Sequence, residues 1–399
     1  MSLVVHRRNL DFLLYETLGF GTVLSAPRFA GYDRAAVDAV LDTVQAIAEN
    51  EFLPCAADLD AHEPHFTDGR VQVDARVGRA LGACAEAGLF SAGFDPELGG
   101  LGMPATVTML INGILAAANI GIANYQLLTV AGANMLASFG TDEQKLLFLR
   151  PMMEGRWFGT MCLSEPQAGS SLSDIRTRAE PVDGRLHRIT GTKMWISGGD
   201  HDLTENIVHM VLARRPDGPP GVKGLSLFIV PKYRVGADGT PGEFNNIALA
   251  GLNHKMGQRG TTNCLLNFGE GGDCLGYLLG APHQGLACMF HMMNEARIGV
   301  GANSVMSAQA GYLYSLDYAR TRPQGRPLGN KDATTPQVPI IGHADVRRML
   351  LAQKAAVEGA LALSCYCTML VDRMATATEE TERRDLHPLL ELLTPMAKS

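Results

Sequence analysis

Two stretches hold the side chains best placed for chemistry. MCLSEPQAGSS (161–171) sets Ser164 and Ser170 on either side of a Glu-Pro and a Gly. GTKMWISGG (191–199) sets Trp195 and Ser197 in a largely apolar run. Taken singly, each has a plain structural reading: a strand entering a Ser-Glu-Pro turn, and a strand with a buried Trp. Other constellations carry less. No Walker A motif occurs. GVGANS (299–304) comes nearest to a dinucleotide fingerprint, but it lacks the third Gly and lies inside a helical stretch rather than after a strand. GDHDLTENIVH (199–209) gathers His201, Asp202, Glu205 and His209. The two histidines straddle a loop-to-strand change without HxxxH spacing, so a structural loop is expected and no metal. The eight cysteines stand at 55, 84, 162, 264, 274, 288, 365 and 367, with no CxxC. They read as reduced, partly buried thiols of a cytoplasmic protein.

Composition bounds the frame around these stretches. The chain has 399 residues, 46% hydrophobic and 19% charged, enough for two to three folded domains and a sizeable core. Its net charge of −7 argues against nucleic acid and anionic membranes as partners. The N-terminal MSLVVHRRNLDFLLYETLGF has Asp11 and no apolar region followed by a cleavage site, so no signal peptide is expected. From Leu98 to Thr141 there is no Asp, Glu, Lys or Arg. About 20 apolar residues suffice to cross a bilayer. However, Asn112, Asn119, Asn124, Gln126 and Asn134 would each need a partner in hydrocarbon. Two buried helices breaking between Asn119 and Ala123 fit better than a membrane span.

The elements that must position the two stretches follow from periodicity. Arg34 to Glu51 and Arg76 to Gly88 show helical spacing, with Gly88 as a stop. DPELGGLGMP (95–104) is a loop, and Thr141 to Gln144 starts a helix. Beyond residue 156 the pattern becomes strands and turns. RLHRITGTKMWIS (185–197) is a run with a Gly-containing turn; 207–213, 225–230 and 263–268 are further strands. Helical spacing returns over Gln284 to Arg320 and His343 to Arg373, and a third helix begins after His387. The expected fold class is α+β: a helical domain over 1–155, an antiparallel β-sandwich or barrel over 156–283, and a helical bundle over 284–399 cut short by the end of the chain.

Together, and in this order, the two opening stretches resemble the acyl-CoA dehydrogenase family. There, an S/T-E-P-x-x-G-S loop and a K-x-W-I-S/T strand flank a flavin. The likeness continues in HKMGQRG (254–260), MNEARIGVGA (293–302) and RPQGR (322–326), and so covers nearly the whole chain. RRNLDFLLYETLGF, the run from Ser197 to Lys232 and HADVRRMLL are similar to a long subfamily that includes the 3-(methylthio)propanoyl-CoA dehydrogenases. Where the family often has Asp after Gly169-Ser170, this chain has Ser171, with Asp174 following. Where short members have an adenine-side Gln, it has Ala344.

The resemblance implies an FAD-dependent acyl-CoA dehydrogenase that desaturates Cα–Cβ of a thioester. Electrons would pass to an acceptor such as an electron-transfer flavoprotein. Such chemistry needs a base for the α-proton, hydrogen bonds on the thioester oxygen and an aimed hydride acceptor. By resemblance, Met161, Leu163 and Ser164 line the flavin. Trp195, Ile196 and Ser197 cover its other side, with Ser197 near N5. Ser170 stands where family members meet the cofactor and the acyl-CoA, Asn294 and Arg297 where they contact substrate, and Arg322 at the FAD pyrophosphate of a neighbouring subunit.

The family's base is a Glu in an E-G-T stretch after the position of Arg297, and no EGT occurs here. LLTPMAKS (392–399) resembles the start of the helix leading to it. The chain is therefore expected to be the front two-thirds of a longer enzyme, with apolar faces that want a homo-oligomer or a missing C-terminal segment. No catalytic residue is assigned. Glu295 is a substitute base one residue from the alternative family position, and one residue is about 100° around a helix. Three readings stay open: the dehydrogenase, a non-catalytic flavin- or acyl-CoA-binding remnant, and a DNA-associated flavoprotein. An acyl-CoA oxidase is a variant of the first.

Overall fold

The computed structural model describes residues 2–330 and 332–399, with the side chains of 291–295 outside the described residues. The chain forms two compact units, each interleaved in sequence. One comprises Met1–Glu49, Pro104–Ala118 and Arg297–Ser399; the other comprises Asn50–Met103 and Asn119–Ala296.

The second unit carries the sheet. Its strands are β1 (His65–Thr67), β2 (Arg70–Gln72), β3 (Trp157–Cys162), β4 (Arg178–Asp183), β5 (Leu186–Ser197), β6 (Asn206–Arg214), β7 (Leu225–Pro231), β8 (Tyr233–Val235), β9 (Pro241–Phe244), β10 (Ile247–Leu252), β11 (Asn263–Phe268) and β12 (Leu275–Leu279). β1–β2 and β8–β9 are small ribbons, and the rest form one sheet in the order β10-β11-β5-β12-β7-β6-β3. β4 pairs with both β5 and β6, so β4, β5, β12, β7 and β6 close a ring of pairings. β6 and β7 read as continuous apolar runs because nearly every residue in them is buried. Ile189, Val211, Phe228, Val230, Leu266 and Phe268 belong to one core cluster of this sheet.

Three details differ from the sequence expectation. The sheet is not wholly antiparallel: β3 runs parallel to β6, from Trp157 opposite Asn206 to Cys162 opposite Val211. The chain leaves β3, makes the β4–β5 hairpin and only then returns as β6, so a parallel crossover replaces a turn. The run 185–197 contains no turn, and β5 is one strand of 12 residues. Gly191 keeps it continuous at φ 156°, where a Cβ would lie 2.4 Å from Thr177 Oγ1. The turn falls earlier, at Gly184 with φ 49°. Trp195 is not a buried strand residue; it is 57% exposed.

The long helices follow their periodicity: α1 (Arg34–Ile47), α2 (Ala75–Glu86), α3 (Ala105–Phe139), α4 (Gly285–Thr321), α5 (Ala344–Thr376) and α6 (Glu380–Lys398). α3 breaks at Asn119, with φ −161° and ψ 93°, at the start of the expected window from Asn119 to Ala123. The Asn119 Oδ1 accepts from Gly121 N and Ile122 N and caps the helix that resumes there. Its Nδ2 donates to Phe52 O, and Gln126 Nε2 donates to Leu89 O. Among the described residues, two helices are long and apolar enough to cross a membrane, Ala105–Phe139 and Ala344–Thr376, with 67% and 44% of their apolar windows buried. α6 starts at Glu380, ahead of the expected position after His387, and holds Pro388 and Pro395 within it. Its Leu390, Leu393 and Ala397 pack with Ile298, Leu363, Cys367 and Val371, and this packing outweighs the missing proline donors. In the same unit the buried Asp372 accepts from Ala105 N, Thr106 N and Thr106 Oγ1 at the start of α3. All eight cysteines are free and buried.

Candidate functional site

The site is assembled where the end of β3 meets the end of β5, in the sheet-bearing unit. Met161, Leu163 and Ser164 lie half-buried at the exit of β3. Met194 N donates to Ser164 O at 3.0 Å, which joins the two motifs through the backbone. Beside that bond sits an ion pair: Lys193 Nζ donates to Glu165 Oε1 at 3.0 Å and to Leu163 O at 2.9 Å. The Lys193 side chain is fully buried and that of Glu165 nearly so. Glu165 also accepts from Arg176 N, Thr177 N, Thr177 Oγ1 and Gln167 Nε2. Burial alone would raise its carboxyl pKa, but the Lys193 charge and these donors outweigh burial and hold it at about 2. Burial lowers the Lys193 pKa and the Glu165 carboxylate beside it opposes that shift.

Trp195 owes its exposure to a bulge. β11 pairs Leu266 with Lys193 and Cys264 with Ile196, so Leu265 faces both Met194 and Trp195. The bulge holds Trp195 at φ 66°, a left-handed conformation that a bulky residue rarely takes. The indole is turned outward, and the next residue, Ile196, returns to the core at 2% exposure. Ser197 closes the strand. Its Oγ accepts from Asn263 Nδ2 at 3.3 Å, and Asn263 Oδ1 accepts from Asn253 Nδ2 at 2.8 Å. This chain of amides orients Asn263 as the donor, so the Ser197 proton is free to point elsewhere.

Ser170 lies exposed on the loop after Glu165. Ser171 and Asp174 fold back on each other, with Ser171 Oγ 3.3 Å from Asp174 Oδ2. Arg214 of β6 fixes this loop through Ile175 O and Ser173 O, and ties it to the β6–β7 connection through Gly221 O. Thus one unit brings together Met161, Leu163, Ser164, Ser170, Trp195, Ile196 and Ser197. Arg297 on α4 and Arg322 just beyond it belong to the other unit, where Arg322 O accepts from Ile340 N. The side chains of Asn294 and Glu295 lie outside the described residues.

The histidine-rich stretch has a different role. His201 and His209 are fully buried, and burial, which is the largest cause, lowers both to about 3. His201 packs edge-on against Tyr125 at 5.5 Å, and His209 Nδ1 meets Thr160 Oγ1 at 2.7 Å. They are neutral core imidazoles, and no group that could hold a metal occurs among the described residues. Sequence reasoning overlooked the Glu165–Lys193 pair, although both residues stand in the quoted motifs. The available signal was a lysine inside an otherwise buried strand, which demands a charged partner.

A helical segment leading into a closed sheet, with this loop and bulge at the sheet's edge, defines a class. The acyl-CoA dehydrogenase N-terminal domain matches residues 35–156, and the acyl-CoA dehydrogenase middle domain matches residues 160–270. The chain belongs to the acyl-CoA dehydrogenase family. It is 39% identical over 339 residues to the 3-methylmercaptopropionyl-CoA dehydrogenase of Ruegeria pomeroyi, a match covering 85% of this chain and 57% of that protein. It is 36% identical over 400 residues to a broad-specificity linear acyl-CoA dehydrogenase of Mycobacterium tuberculosis, covering 98% of this chain and 65% of that protein. The chain thus spans about three-fifths of the length of these curated relatives. Among solved structures, an acyl-CoA dehydrogenase from Bacillus anthracis complexed with FAD superposes with a TM-score of 0.70 at 23% identity, over 92% of this chain and 56% of that one. The butyryl-CoA dehydrogenase of Megasphaera elsdenii gives 0.68 at 22%, over 90% and 87%. At these identities the likeness is one of fold.

Proposed function

We propose that the chain acts in FAD-dependent α,β-dehydrogenation of an acyl-CoA thioester, with 3-(methylthio)propanoyl-CoA as a candidate substrate. The observation that carries this reading is Trp195, displayed at a bulge in a left-handed conformation beside the Ser164 loop. A strained and exposed indole needs a planar partner to justify its conformation. The donor set fits a flavin: an aromatic face at Trp195, hydroxyls at Ser164 and Ser197, and apolar contacts at Met161 and Leu163. FAD, when bound, supplies two-electron acceptance from the β-carbon.

The protein's own part is placement. With FAD bound, the Trp195 ring would offer its face to the flat ring system, and the Ser164 and Ser197 hydroxyls would hold its polar edges. Asn263 donates to one lone pair of Ser197 Oγ, which leaves the hydroxyl proton free for the flavin. Ile196 anchors this strand end in the core. Ser170 is assigned to the cofactor and the acyl-CoA, Asn294 and Arg297 to acyl-CoA, and Arg322 to the FAD pyrophosphate of a neighbouring subunit. The same proposal includes an electron-accepting flavoprotein, assembly with further copies and a cytoplasmic setting, which eight buried thiols fit.

The test is an FAD titration of the purified chain, followed by anaerobic addition of 3-(methylthio)propanoyl-CoA and straight-chain acyl-CoAs. Saturable FAD binding is expected; bleaching of the flavin band by an acyl-CoA would show that a base for the α-proton stands within these residues, with Glu295→Gln as the next test. Failure to hold FAD overturns the reading. FAD held without bleaching supports a chain whose base must be supplied by a further segment.

A further inference from the structure

We infer that the buried Glu165–Lys193 pair is a positioning device for Trp195: it ties the loop after β3 to the bulge of β5 and so sets where the indole meets the flavin. The inference rests on the flavin reading above. Two independent paths lead from Glu165 to the bulge. The first runs through Lys193, two residues before Trp195, whose ammonium bridges Glu165 Oε1 and Leu163 O. The second runs through Thr177, whose N and Oγ1 donate to Glu165 and whose side chain abuts Gly191, four residues before Trp195. Between them, Met194 N reaches Ser164 O. The backbone on either side of Trp195 is thereby fixed, by Lys193 and Met194 before it and by buried Ile196 after it.

A left-handed Trp persists only when its surroundings over-determine it, and these bonds do so. Stability alone does not explain the choice of an ion pair. Replacing a buried pair by neutral groups of similar volume is often neutral or stabilising, whereas removing one partner is costly. A charged pair at this point is explained by the fixed geometry it imposes on both motifs at once.

The chain has two tryptophans, Trp157 at 0% exposure and Trp195 at 57%, so quenching by acrylamide reports Trp195 without any flavin. The experiment compares wild type, Lys193→Met, the double variant Lys193→Met/Glu165→Gln and the milder Thr177→Val. The single Lys193 variant is expected to lose thermal stability, and the double variant to regain most of it. Trp195 quenching should nevertheless stay altered in the double variant, and its FAD dissociation constant should rise by about tenfold, equivalent to 1.4 kcal/mol. Thr177→Val, with the ion pair intact, should shift quenching in the same direction by less. Wild-type quenching in both the double variant and Thr177→Val would overturn the inference and leave the pair a structural one. If the wild type holds no FAD, the flavin reading fails by itself, and the quenching comparison still decides.

Discussion

Trp195 shows how much a single residue can be asked to do. Its φ of 66° costs roughly 1–3 kcal/mol, which the fold bears so that the ring can face outward. Glycine takes that conformation without strain. Trp195→Gly should therefore keep or raise the melting temperature while FAD affinity falls by at least about tenfold, a separation of stability from binding. A parallel fall in both would show that the indole is part of the core. The residue types of this site were legible in the sequence: Ser164, Ser197 and Trp195 sit in the two motifs first noticed. Their environment was not. A Trp in an apolar run reads as buried, because the bulge that turns it out depends on the register of a strand far along the chain.

At the scale of elements, the best-read feature is the break in α3. The sequence pointed to two buried helices breaking between Asn119 and Ala123; the break falls at Asn119, which caps the resumed helix with its own side chain. Asn119→Ala removes this cap and the bond to Phe52 O. It should cost about 1–2 kcal/mol in denaturant unfolding. An unchanged midpoint would mean that packing alone sets the break. Strand pairing was less legible. Local patterns identify apolar runs, but a parallel β3–β6 pair and a ring closed through β4 are relations between segments, which no window of one sequence contains. Likewise α6 continues through Pro388, against the local signal, because Leu390 and Leu393 gain a packed surface.

For the whole molecule, the buried titratable groups predict its response to acid. His201 and His209 stay neutral in the folded chain to about pH 3, whereas in the unfolded chain they take up protons below about 6.5. The unfolded state then binds more protons, so stability falls as pH falls through that window. The slope is about 1.4 kcal/mol per pH unit for each imidazole. Glu165, depressed to about 2 from 4.5, adds a further loss below about pH 4.5. Urea midpoints should therefore begin to drop below pH 6.5, before the exposed carboxylates titrate. A flat profile from pH 7 to 5 would sink this account.

By itself, the sequence determined the helices with strong periodicity, the order of helical and strand-rich segments, the family motifs and the residue types of the site. Each of these depends on neighbours within a few turns or on a short spacing. Only the tertiary structure decided which strands pair, that Trp195 is presented rather than buried, that Glu165 and Lys193 neutralise each other, and that the two compact units interleave along the chain. Those outcomes depend on which distant segments meet, because a buried charge is stable only beside its partner and a bulge exists only against a paired strand.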